Sequence, residues 1–141
     1  MRYLGLDYGS KTLGLSISDS TMLIASSLKV ITYNNIEELF NELDKVIKDY
    51  NVDGLVLGYP LNMNGTKSER TIKTLDFKDK LEERYDMEVN LMDERLTTVE
   101  AERMLISNGT TREKRKKVID KLASTIILQS YLDKRSSSEK E

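Results

Sequence analysis

With 141 residues, a formal net charge of -2 and neither cysteine nor histidine, the chain fits one domain with a core of its own, and its composition excludes a disulfide framework, a thiolate nucleophile, an imidazole base and the usual zinc ligands. No run of about 18 apolar residues is present to cross a bilayer, and the first residues read as a strand rather than a signal segment, so a cytoplasmic protein without a membrane partner is expected. The charge balance carries no global sign of a nucleic-acid partner, and any such sign has to be local.

Residues 2–7 and 12–19, within RYLGLDYGSKTLGLSISD, read as two strands joined by the short polar turn Gly9 to Lys11, which predicts a hairpin. Leu28, Val30 and Ile31 place a third strand within Met22 to Tyr33 and extend the hairpin into a meander. From Ile36 the spacing changes: Ile36, Leu39, Phe40, Leu43, Val46 and Ile47 form one apolar stripe on a helix that ends near Tyr50. VDGLVLG (52–58) reads as a buried strand, followed by Pro60 and a polar loop, then a charged helix from about Lys67 to Arg84 and a strand, MEVNLMDE, that ends in acids. Strand, helix, strand, helix, strand predicts parallel pairing with right-handed crossovers, so the sheet is mixed, with an antiparallel meander joined to parallel strands. Thr97 or Thr98 is expected to cap a helix through about Ser107, with Glu100 and Glu102 near its positive end. NGTTREKRKK breaks the pattern, Val118 to Leu132 reads as an apolar last helix, and residues 134–141 read as a frayed tail on a single domain of residues 1–133.

Three acids stand in unusual places: Asp7 at the end of the first strand, Asp93 or Glu94 at the end of the last, and Asp120 at the start of the final helix. The carboxyl ends of parallel strands share the edge at which open α/β sheets bind ligands. Asp120 shares a helix face with Ala123, Ser124, Ile127 and Tyr131, so it lies on a small and apolar stripe rather than a solvated one. Each acid alone also has a structural explanation. Asp7 can open a turn, Glu94 can pair with Arg95 or another cation, and Asp120 can favour a helix N-terminus. Together, clustered carboxylates repel and raise one another's pKa unless a cation neutralises them. Without histidine or cysteine that cation is expected to be Mg²⁺ or Mn²⁺, and such a site holds two ions about 4 Å apart for in-line displacement at a phosphodiester.

Arg112, Lys114, Arg115, Lys116 and Lys117 form the densest basic run. Cations at a helix N-terminus oppose the macrodipole, so phosphate binding explains them better than local stability, the plain alternative being a solvated loop. Lys11, Lys67, Arg70 and Arg95 belong to loops at the same sheet edge and extend the candidate nucleic-acid surface. Gly65 permits a tight turn, Thr66 or Ser68 caps the next helix, and Tyr8 either stacks on a base or packs.

Four pieces, LDYGSKTLGLSISD, GYPLNMNGTKSER, DERLTTVEAERML and KRKKVIDKLASTIILQSYL, follow one another over nearly the whole chain, and together they resemble the YqgF (RuvX-type) proteins of the ribonuclease H-like superfamily. The resemblance implies an α/β, ribonuclease H-like fold, a five-stranded mixed sheet flanked by helices. It implies that Asp7, Glu94 and Asp120 are the catalytic and metal-binding acids; neighbours in a strand point to opposite faces, so Asp93 and Glu94 are not expected to ligate equally, and the resemblance favours Glu94. Members of that family are described as nucleases that process the 5′ end of precursor 16S ribosomal RNA, and are similar in fold to Holliday-junction resolvases. The implied activity is phosphodiester hydrolysis dependent on Mg²⁺ or Mn²⁺, with pre-rRNA and ribosomal precursor particles as partners; the apolar last helix leaves both a monomer and a homodimer open.

Resolvases carry two aspartates on the last helix where VIDKLAS offers one, so a junction-cleaving DNA endonuclease is the alternative. A non-catalytic RNA-binding assembly factor that kept the fold is a further one. An actin-like kinase or ATPase also uses an Asp-x-Gly hairpin, but it needs a second domain for which this chain is too short.

Overall fold

The structure, a computed structural model, describes residues 1–95, 103 and 106–139, with the backbone alone at positions 116, 117, 119–121, 138 and 139. The expected helix from Thr97 or Thr98, with Glu100 and Glu102, therefore lies mostly outside the described residues.

Strands β1 (Tyr3–Tyr8), β2 (Thr12–Ser18) and β3 (Ala25–Thr32) precede helix α1 (Ile36–Asp49), strand β4 (Gly54–Tyr59), helix α2 (Glu69–Arg84), strand β5 (Glu88–Asp93) and a long helix α3 (Arg112–Glu139). One sheet has the order β3-β2-β1-β4-β5. β1 and β2 pair antiparallel, as do β2 and β3, whereas β1, β4 and β5 run parallel. The mixed sheet expected from the sequence is thus the one observed. Among the described residues no helix is long and apolar enough to cross a membrane.

Side chains alternate across a strand, and both faces of this sheet are covered. Leu4, Leu6, Leu13, Leu15, Leu55 and Leu57 join Leu39, Phe40 and Leu43 of α1 and Phe77 and Leu81 of α2 in one buried cluster. Tyr3 and Val56, on the other face, join Ile127, Leu128 and Leu132 of α3. Coverage on both sides explains why LGL and LVL read as continuous apolar runs.

Local chemistry sets the helix ends. Asn35 caps α1 by accepting from the Glu38 amide at 2.9 Å. Ser68 caps α2 in a reciprocal capping box with Thr71, and the Thr71 hydroxyl also donates to the Pro60 carbonyl. The two helices are tied by Arg84, whose Nε and Nη2 donate to Asp44 at 2.9 and 2.5 Å.

α3 differs from the sequence expectation at both ends. It begins at Arg112 rather than Val118 and continues to Glu139, through most of the stretch read as a tail. The basic run therefore belongs to its first turns rather than to a preceding loop, and Asp120 falls in its third turn rather than its first. Thr111 explains the earlier start: its hydroxyl accepts from the Lys114 amide at 3.4 Å and its carbonyl from the Arg115 amide at 2.9 Å. The late turns are held because Tyr131 stacks on Tyr3 at 5.8 Å and the Arg135 guanidinium lies 5.6 Å from the same ring centroid.

Candidate active site

α3 runs antiparallel to β1 and lies unusually close to the sheet. A Cβ on Gly5 would come within 2.2 Å of Ser16 Oγ and 2.8 Å of both Leu128 Cβ and the Ser124 carbonyl oxygen. Only glycine permits that approach, and the Ser16 hydroxyl uses it to donate to the Ser124 carbonyl at 2.7 Å. Two residues along, on the same face, Asp7 stands opposite Gly14, and a Cβ on Gly14 would be 3.6 Å from Asp7 Cβ and 3.7 Å from Ser124 Oγ. The bare backbone of Gly14 thus leaves room for the Asp7 side chain on the α3 face.

The second acid arrives from β5. Asp93 ends that strand, and Glu94 is the next residue. Its side chain crosses the end of β4, where a Cβ on Gly58 would be 3.0 Å from Glu94 Cδ and 2.6 Å from Ile127 Cδ1. Because β1, β4 and β5 are parallel, their carboxyl ends lie on one edge, and this brings Asp7 and Glu94 together.

Arg70, from the first turn of α2, spans the pair. Its Nη2 is 3.3 Å from Asp7 Oδ1 and 4.0 Å from Glu94 Oε1. The Asp7 and Glu94 side chains are only 25% and 17% exposed, so each carboxylate has lost much of its water. Burial is the main reason the Glu94 carboxyl is pushed up from 4.5 to about 7. The charge of Asp7 adds to the shift, Arg70 opposes it, and Asp93 adds a smaller push.

Asp93 has a different neighbourhood. Arg95 reaches it through Nε at 3.1 Å and Nη2 at 2.8 Å, and its backbone amide donates at 2.9 Å. These bonds hold the Asp93 carboxyl below its usual range. Of the two adjacent acids, Asp93 is committed to Arg95, and Glu94 is the one beside Asp7. Arg95 also donates to the Met63 carbonyl at 3.3 Å, which ties the end of β5 to the loop ahead of α2.

The backbone of Asp120 lies in α3 one turn before Ser124, the residue that packs beside Gly14 and Asp7. Its side chain lies outside the described residues, as do those of Lys116 and Lys117. Lys11, Lys67, Arg112 and Lys114 are exposed, Lys67 within an isolated bridge to Leu61. Arg115 turns back to donate to the Thr110 carbonyl at 2.7 Å, and Tyr8 packs on Phe77 with ring centroids 4.1 Å apart.

Sequence reasoning grouped Arg70 with the phosphate-binding cations, whereas its guanidinium reaches into the acid pair. It missed Gly58, although an isolated glycine in a strand signals close approach by another group. Among the described residues no group of three or more metal-ligating side chains is assembled. Two partly desolvated carboxylates already drawing a guanidinium do suit a hard divalent ion, which prefers an all-oxygen donor set.

The RuvX family model, described as "Holliday junction resolvase", matches residues 1–134. A protein from Bacillus subtilis named "Putative pre-16S rRNA nuclease" is 49% identical over 135 residues, covering 94% of this chain and 98% of that protein. One of the same name from Agathobacter rectalis is 43% identical over 141 residues, covering 98% and 99%. Among solved structures, "T. thermophilus RuvC in complex with Holliday junction substrate" matches with a TM-score of 0.61 at 13% identity, covering 97% of this chain and 96% of that one. At that identity the likeness is one of fold, a five-stranded mixed sheet with helices on both faces.

Proposed function

The chain belongs to the RuvX family, and from that premise we propose that it is a divalent-metal-dependent nuclease that hydrolyses phosphodiester bonds of precursor 16S ribosomal RNA. The observation that carries this reading is the meeting of Asp7 and Glu94, from two strand ends, around one cationic group at 3.3 and 4.0 Å. Relatives 43 to 49% identical over nearly their whole length carry the pre-16S rRNA nuclease name, which supports RNA as the substrate.

In this reading Asp7, Glu94 and Asp120 hold Mg²⁺ or Mn²⁺. When bound, the metal supplies Lewis acidity toward the phosphoryl oxygen and a low-pKa water as nucleophile. Asp7 presents its carboxylate from a rigid strand, so the acid is placed before substrate arrives. Burial raises the Glu94 carboxyl, and positive charge brought beside it favours the ionised form that acts as a ligand. Arg70 can leave its carboxylate partners for a substrate phosphate, a bidentate exchange suited to a guanidinium. The exposed cations Lys11, Lys67, Arg112 and Lys114, with Lys116 and Lys117 in the same helix, supply sequence-independent backbone contacts.

A junction-resolving reading draws on the description of the family model. Cleavage of precursor rRNA, a plain duplex and a four-way junction, each with Mg²⁺, Mn²⁺ or EDTA, separates the two. Precursor rRNA is expected to be cut with either metal and spared in EDTA, and Asp7→Asn is expected to abolish cleavage while preserving binding. Equal cleavage by Asp7→Asn and parent overturns the proposal.

A further inference from the structure

Beside the acid pair, on the opposite face of β1, lies a cleft of about 590 Å³ lined by Tyr8, Gly9, Ser10, Glu69, Arg70 and Lys73. Its volume is that of sites that enclose a small organic ligand. Asp7 and Tyr8 are consecutive in β1 and point to opposite faces: Asp7 lies toward Gly14 and Ser124, and Tyr8 lies on Phe77. Arg70 joins the two compartments, because it lines the cleft while its Nη2 reaches Asp7 around the end of the strand. The cleft therefore meets the acid pair at Arg70.

Its walls combine two guanidinium or ammonium cations, one phenol ring and a glycine-serine turn. Among the described residues that line it, Glu69 is the one acid, and it holds Lys73 at 3.4 Å with both side chains well exposed. Such a pair is weak, so Lys73 can exchange it for a phosphate at little cost. Tyr8 is held in place by stacking on Phe77 and Tyr33, with ring centroids 4.1 and 6.5 Å away, so it gives the cleft a fixed apolar wall, and a few cations beside such a wall suit a ligand with a phosphate and a base.

Resting on the nuclease reading and extending it, we infer that this cleft is the subsite for the nucleotide adjacent to the scissile phosphate. Lys73 and Arg70 hold that nucleotide's phosphate, and its base lies against the Tyr8 side. A base within a duplex is paired and stacked and cannot turn into such a cleft without being extruded, whereas an unpaired base can. The substrate class is therefore a strand that is single-stranded at the nucleotide flanking the cut.

The test measures binding of a single-stranded oligoribonucleotide, and of the same strand in a perfect duplex, in EDTA over a range of salt, with Mg²⁺-dependent cleavage followed in parallel. Lys73→Ala is expected to weaken single-strand binding, to lower the slope of log K against log salt by about one, and to leave duplex binding unchanged. Lys73→Glu is expected to weaken single-strand binding further. An unchanged salt slope in Lys73→Ala, or an equal loss on both ligands, overturns the subsite even if the parent cleaves. A Lys73-dependent preference for the single strand in a parent that never cleaves supports the cleft while the nuclease reading falls.

Discussion

Glu94 stands where a carboxylate is hard to keep charged, mostly buried over Gly58 with Asp7 beside it and Arg70 reaching both. Because its folded-state pKa of about 7 lies above the ordinary 4.5, the folded protein binds more protons than the unfolded chain between those values. Its contribution to stability is fully present below about 4.5 and is lost as pH rises through about 7. Glu94→Gln should therefore melt higher than the parent at pH 8 in EDTA, and the gap should close as pH falls toward 5. Parallel melting curves across that range would contradict the burial argument.

Gly58 offers a second test. A methyl group there meets Ile127 Cδ1 at 2.6 Å and Glu94 Cδ at 3.0 Å, so Gly58→Ala should cost about 1–3 kcal/mol through overpacking. It should also reduce cleavage well beyond that loss at temperatures where the variant is fully folded, because Glu94 is displaced. The meeting of Asp7 with an acid at the end of β5 was legible from strand ends and crossover direction alone. Gly58 was not, since its importance depends on which helix side chain arrives opposite it.

Among the elements, α2 carries both Arg70 and Lys73, and its first turn is held by Ser68 and Thr71. Ser68→Ala removes the side chain that accepts from the Thr71 amide and should cost about 1 kcal/mol, read by chemical denaturation. The Arg84–Asp44 tie between α2 and α1 holds the Asp44 carboxyl below its usual range, chiefly by hydrogen bonds from Arg84. A depressed folded-state value means that the stabilisation is present above about 3.9, the ordinary aspartate value, and disappears as pH falls through the lowered one. Asp44→Ala should thus lower the melting temperature at pH 7 and converge with the parent in acid.

Periodicity exposed α1 and the strands because each has a single dominant apolar pattern. It misplaced the start of α3 because Arg112 to Lys117 reads as a solvated run whose charge opposes the helix dipole. The usable signal was Thr111, a hydroxyl residue followed by Glu113 in the first turn. The capping of α2, by contrast, was readable as Thr66 or Ser68, and Ser68 is the one that caps.

For the whole molecule, three parallel strands deliver their ends to one edge, and a helix packed on glycine and serine passes close above it. The mixed sheet followed from the order of elements, which admits few topologies. The depth of the α3 contact did not, because Gly5, Ser16 and Ser124 reveal their fit only once the strands are in register. The division of faces matters for function: acids lie on the α3 side, the cationic cleft on the α2 side, and Arg70 passes between them.

Anomalous diffraction from crystals grown with Mn²⁺ tests the metal site most directly. A peak bounded by the carboxylate oxygens of Asp7 and Glu94, absent from Asp7→Asn crystals, is the predicted result. No peak between them, with cleavage still dependent on Mn²⁺, would contradict the account.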